Sequence, residues 1–199
     1  EACLVGSEMC IRDRMKVSDL CLMNQNGELV YGKERTGDAA QSIHSNIYKS
    51  RPDINAVAHA HPMYGKTFST LNKELKPITQ DSCAFYKRTA TFTDYDGVAN
   101  GPDEGVNIAK ALADKDFLVL QNHGILTTGS MVETTLWYFL NMEEACKSQL
   151  LAEAVGEPIV IPDKVAIHTR DYVANDLSAF ASIQPLLDVL WEKEPEFLD

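Results

Sequence analysis

Residues 54–61, INAVAHAH, restrict this chain more than any other stretch. They form a short apolar run closed by Pro62, which has no backbone N–H to extend a strand ladder. Such a run reads as a buried strand. Side chains alternate along a strand, so His59 and His61 point to the same face at its end. Strand ends lie beside loops, where clefts form. Two imidazoles in that position can hold one cation from two sides; two surface histidines with ordinary partners would also explain the pair.

The rest of the pattern alternates strands with helices. Residues 20–24 and 29–31 flank Asn26-Gly27, a hairpin turn signal. Asp38 is the expected N-cap of a helix in which Ala40, Ile43, Ile47 and Tyr48 share a face, stopped by Pro52. A helix is expected over 64–71, strand and loop after Pro77, a strand over 89–92, loop over 94–102 and a helix over 103–113. Residues 117–121 and 125–128 look like strands. A long helix over 132–154 carries an apolar stripe of Val132, Leu136, Phe139, Leu140, Cys146 and Leu150. Helices over 171–181 and 184–192 follow, with Trp191 covering an apolar surface.

His123 sits between two of these strands, and Gly124 after it permits a tight turn. A third histidine at another strand end can complete a three-histidine group. Three protein ligands and one open position form the catalytic arrangement for zinc, and also suit iron or manganese. His44 follows Ala40 by one turn and could face a site; the ordinary alternative is a hydrogen-bonded, half-buried histidine. His168 reads as a surface residue.

The chain has 199 residues, enough for one domain with a real core. No apolar stretch approaches the roughly 18 residues of a membrane helix. A formal net charge of -11 repels phosphate backbones, so nucleic acid is excluded as a partner, and no basic run suits an anionic membrane. Five cysteines at irregular spacing, with no CxxC pair, read as reduced thiols of a cytoplasmic protein. No signal peptide is recognisable.

Residues 1–14, EACLVGSEMCIRDR, resemble the translation of a sequencing adapter. On that reading natural sequence starts near Met15 or Lys16, the true N-terminal part is missing, and residues 15–199 form a single domain.

The stretches HSNIYKSRPDINAVAHAHP (44–62), TDYDGVA (93–99), LQNHGILTTG (120–129) and the helix pattern over 134–153 together resemble the class II aldolase/adducin family. The resemblance covers roughly residues 20–156. It implies an α/β fold: a three-layer α/β/α sandwich with a mostly antiparallel central sheet. It implies a divalent metal, usually zinc, on His59, His61 and His123, and a ring-like homotetramer with sites near subunit interfaces. In the family's aldolases the metal polarises the substrate carbonyl and hydroxyl and stabilises an enediolate.

The departures from the family pattern are specific. Its aldolases and epimerases carry an acid four positions before the residue matching His44, and that position is Ala40 here. Its phosphate-binding serines fall at Asp38 and Ala39, and an Asp there repels a dianion. A small, non-phosphorylated carbonyl or hydroxy-acid substrate follows. His44, Asp81 and Tyr86 are the residues expected to supply proton transfer, with Gln80, Tyr64 and Tyr95 as further candidates; packing or loop hydrogen bonding is the ordinary alternative for each. The leading function is a metal-dependent lyase that cleaves a carbon–carbon bond. Its competitors are a non-haem iron oxygenase or decarboxylase on the same scaffold, and a non-catalytic, adducin-like binding protein.

Overall fold

The structure, a computed structural model, describes residues 3–5, 16–24, 26–32, 37–95, 97 and 103–199. Contacts divide the chain into two compact units. One comprises Glu1–Pro52, Gly97–Lys110 and Pro185–Asp199; the other comprises Asp53–Asp96 and Ala111–Gln184.

In the first unit β1 (Cys3–Val5), β2 (Cys21–Met23) and β3 (Leu29–Tyr31) form an antiparallel sheet in that order. β1 lies within the segment the sequence reading set aside. The expected hairpin is present. Asn24 Oδ1 accepts from the Asn26 and Glu28 amides at 2.9 and 3.0 Å, and Gly27 takes φ +78°. Helix α1 spans Asp38–Ser50, with Ile43 and Ile47 buried as its pattern predicts. Its N-cap is Gly37 rather than Asp38, which is the first helical residue, and no side chain caps it. Trp191, expected to cover an apolar surface, is 60% exposed and meets Phe197 edge-on.

The second unit holds a four-stranded sheet in the order β4 (Ala56–Ala60), β7 (Gly124–Gly129), β6 (Phe117–Leu120), β5 (Thr89–Phe92). β4 with β7 and β7 with β6 are antiparallel, and only β5 with β6 is parallel. All four residues of β6 are buried. A strand covered on both faces reads as an unbroken apolar run, which is why FLVL lacks alternation. Phe117, Val119 and Ile125 join Phe68, Phe85, Tyr138 and Met142 in one core cluster, while Leu118, Leu120 and Leu126 are buried on the opposite face. Helices α2 (Met63–Ser69) and α4 (Val132–Val155) pack on β7 and on each other.

Three local readings are corrected here. The buried face of α4 carries Tyr138, Met142, Ala145, Cys146 and Gln149, whereas Val132 and Leu140 are exposed. The segment after Pro77 forms a 3₁₀ helix, Asp81–Phe85, rather than a strand. Ser82 Oγ accepts from the Ile78 and Thr79 amides at 2.9 Å each, and such short-range bonds favour a turn over a ladder. Beyond Pro162, helices α5 (Asp163–Val173) and α6 (Asp176–Lys193) replace the two expected pieces, and α3 is Glu104–Leu112. Asn175 Oδ1 accepts the Ser178 amide at 3.0 Å, which starts α6 earlier than its apolar pattern suggested. Among the described residues no helix is long and apolar enough to cross a membrane.

Candidate metal centre

His59 lies on β4 opposite Leu126 and shares that residue's face. Its Nδ1 is 2.9 Å from the Ile125 carbonyl oxygen on β7. A carbonyl only accepts, so Nδ1 carries the proton and the ring's lone pair is on Nε2. His61 follows the last residue of β4. The β6–β7 connection brings in His123. Asn122 turns the chain at φ +58°, its amide donates to the Ser69 carbonyl at 3.1 Å, and the His123 amide donates to the Leu120 carbonyl at 3.0 Å.

The three rings converge. Their centroids are 5.2 Å apart for His59 and His61, 4.8 Å for His59 and His123, and 4.5 Å for His61 and His123. Their ligand atoms all lie within 4.8 Å of one another, and each ring is half-buried. Burial, and then the positive charge of His61, hold His123 below the ordinary histidine range, which favours the neutral form a metal requires. Among the described residues the group contains three histidines and no carboxylate. That donor set fits a borderline divalent ion with open coordination positions.

Gly124 makes the convergence possible. A Cβ there would stand 2.5 Å from the Ala60 carbonyl oxygen and 3.1 Å from His61 Cδ2. Helix α2 begins two residues after His61, and no side chain of its own caps it. Instead Glu143, on α4, accepts from the amides of Tyr64 at 2.8 Å and Gly65 at 2.5 Å. Sequence reasoning missed Ile125 and Glu143. A backbone carbonyl leaves no signature, and a helix glutamate 82 positions after His61 looks like a solvated charge.

His44 belongs to α1, in the first unit, with its ring 6.5 Å from Tyr48; burial lowers its pKa to about 4. The structure does not bring Tyr86 to the histidines. Tyr86 precedes β5, whose Thr89 pairs with Phe117, whereas His123 follows the opposite end of β6. The Tyr86 hydroxyl donates to Asp163 Oδ1 at 2.9 Å, a bond that raises its pKa. Asp81 opens the 3₁₀ helix leading to Tyr86, is exposed, and acts on the nearby Cys83 thiol by raising its pKa after burial does. Gln80 is exposed too, and His168 is a surface residue as expected. Tyr64 faces Lys147, whose Nζ is 5.2 Å from the ring centroid. Tyr95 has a ring contact with the trio, 6.4 Å from His123 between centroids.

Comparison with known proteins identifies the family of the chain. Decarboxylase NovR of Streptomyces niveus is 37% identical over 171 residues, 86% of this chain and 63% of that protein. The 4-hydroxy-3-prenylphenylpyruvate oxygenase/4-hydroxy-3-prenylbenzoate synthase of Streptomyces roseochromogenus subsp. oscitans is 37% identical over 169 residues, 85% of this chain and 61% of that protein. The chain thus spans somewhat over 60% of the length of each of these relatives. The solved L-fuculose 1-phosphate aldolase from Glaciozyma antarctica PI12 matches with a TM-score of 0.84 at 38% identity, over 93% of this chain and 73% of that one. The model of the Class II Aldolase and Adducin N-terminal domain matches residues 6–150, a range that begins inside the adapter-like segment. The chain belongs to the class II aldolase and adducin family.

Proposed function

We propose that the chain is a divalent-metal enzyme that breaks a carbon–carbon bond beside a carbonyl in a small, non-phosphorylated oxo- or hydroxy-acid, with His59, His61 and His123 as the metal ligands. The convergence of three imidazoles within 4.8 Å, with no carboxylate among the described residues of the group, carries this reading. A divalent ion bound there supplies a Lewis acid for a substrate oxygen. The Ile125 carbonyl orients His59, and burial keeps His123 neutral. Tyr95, 6.4 Å from His123 between ring centroids and 43% exposed, is the best-situated hydroxyl to hydrogen-bond a substrate at the mouth of the site. Zinc is the expected ion for a lyase. The buried thiols Cys21, Cys83 and Cys146 suit a reducing cytoplasm.

A second reading has two observations in its favour. Ala40 stands where the family's aldolases carry an acid, and two relatives are named as a decarboxylase and as an oxygenase/synthase. It is iron-dependent oxidative decarboxylation of an aromatic 2-oxo acid.

Elemental analysis of the purified protein, beside the triple variant His59→Ala, His61→Ala, His123→Ala, tests both. Near-stoichiometric metal that disappears in the variant is expected. Zinc or manganese with anaerobic turnover supports the lyase; iron with oxygen uptake supports the oxygenase. A parent that takes up neither zinc, manganese nor iron, even when each is added anaerobically, overturns both and leaves a binding role.

A further inference from the structure

We infer that Glu143 is a positioning residue for the histidine trio, acting through helix α2 as a splint between the two ligand motifs; this rests on the metal reading above. His61 and Pro62 lead directly into α2. At the head of the helix, the Glu143 carboxylate takes the Tyr64 and Gly65 amides, one on each oxygen. First-turn amides of a helix have no partner within the helix, and a carboxylate is the strongest neutral-pH acceptor for them. At the tail, the carbonyl of Ser69, the last residue of α2, accepts the amide of Asn122, the residue before His123.

Along its length α2 also fixes the third ligand. A Cβ on Gly65 would stand 3.0 Å from two side-chain carbons of Ile125, so the helix sits flush on β7 at that residue. The Ile125 carbonyl is the acceptor that orients His59. One seven-residue helix therefore bears on all three histidines. It follows His61 by covalent connection, holds the turn before His123 by a hydrogen bond, and packs on the residue that orients His59. Among the described residues its side-chain cap comes from α4, through Glu143. Outer partners that orient ligands change metal affinity without touching the metal.

Gln149, six positions further along α4, is the internal control. It is fully buried and bonds the Lys76 amide at 2.8 Å and the Glu74 carbonyl at 3.0 Å, so it also ties α4 to backbone, but to a stretch with no ligand. Glu143→Ala, Glu143→Gln and Gln149→Ala are compared for apo stability in urea, for Zn²⁺ dissociation constant by chelator competition, and for the visible spectrum of the Co²⁺-loaded protein. Glu143→Ala is expected to raise Kd about 10- to 100-fold and to alter the Co²⁺ bands. Glu143→Gln, which keeps one acceptor oxygen, is expected to fall between it and the parent. Gln149→Ala is expected to lose stability while keeping the parent's Kd and spectrum. If Kd follows stability equally in all three variants, or if Glu143→Ala binds as the parent does, the splint is overturned while the metal site stands. If the parent itself binds neither ion, the metal reading fails and this inference fails with it.

Discussion

Gly124 has no room for a side chain, and that is a prediction at the scale of one methyl group. Gly124→Ala puts a Cβ against the Ala60 carbonyl and the His61 ring. The expected cost is about 1–3 kcal/mol in stability, as for other overpacked sites, together with weaker metal uptake because His61 must move. Urea titration and chelator competition measure the two effects; unchanged values in both would mean that the turn simply relaxes. His44 supplies a second prediction. Burial holds its pKa at about 4 against an ordinary 6.5. Between those values the unfolded chain binds the extra proton, so stability rises with pH there. The contribution is full above pH 6.5 and is lost as pH falls toward 4, by on the order of 3 kcal/mol. His44→Gln is expected to flatten the urea stability profile between pH 6.5 and 4.5. A variant that keeps the parent's slope would assign the acid sensitivity elsewhere.

Arg88 joins elements rather than lining the histidine site. Its guanidinium lies 4.9 Å from the Phe117 ring centroid and 5.2 Å from that of Tyr138, and its Nε donates to Asp116 Oδ2 at 2.7 Å. It thus ties the start of β5 to the start of β6 and to α4, at the end of the sheet away from His123. Arg88→Ala removes the ion pair with Asp116 and uncovers two rings, and is expected to cost about 1–2 kcal/mol. Metal affinity should stay at the parent's value, because Ile125, Ser69 and Asn122 keep their partners. A large rise in Kd would show that the two ends of the sheet are coupled. α4 itself shows why element faces were harder to read than elements. Its apolar residues surround the helix, so several stripes fit its sequence. Arg88 and Phe117 against Tyr138, and the Lys76 amide against Gln149, select the one through Tyr138, Met142 and Cys146, and nothing in the helix alone does so.

For the whole molecule, the family resemblance implies a homotetramer. Several large apolar side chains lie on the outside of this chain, among them Val132, Leu151 and Val155 on α4 and Ile159 beyond it, the last two 90 and 91% exposed. Scattered apolar exposure is ordinary, but four such residues at and after one helix suit a subunit contact. Sedimentation velocity is expected to give a species four times the 22.1 kDa chain mass. A single species at the chain mass would reject that assembly. The net charge of -11 keeps such an assembly away from polyanions, so retention on heparin is not expected.

The sequence by itself determined the class of fold and the identity of the three histidines. The placement of strands and helices and the candidate histidines depend on local patterns; the three-layer α/β/α class is what the family resemblance implies. Buried strands announce themselves by unbroken apolar runs, as FLVL does, and strand ends by Pro62 and Gly124. Alternation puts His59 and His61 on one face without reference to anything distant. What the tertiary structure alone decided is which distant groups meet. Strand register separated Tyr86 from the histidines and brought Tyr95 beside His123. Antiparallel pairing of β4 with β7 delivered the Ile125 carbonyl to His59, and packing of α4 on α2 delivered the Glu143 carboxylate to two amides. The His59–Ile125 and Glu143–Tyr64 contacts join residues 66 and 79 positions apart, and Tyr95 meets His123 from a different strand end. Their geometry comes from closing the core, where burial sets the registers and every polar group must then find a partner.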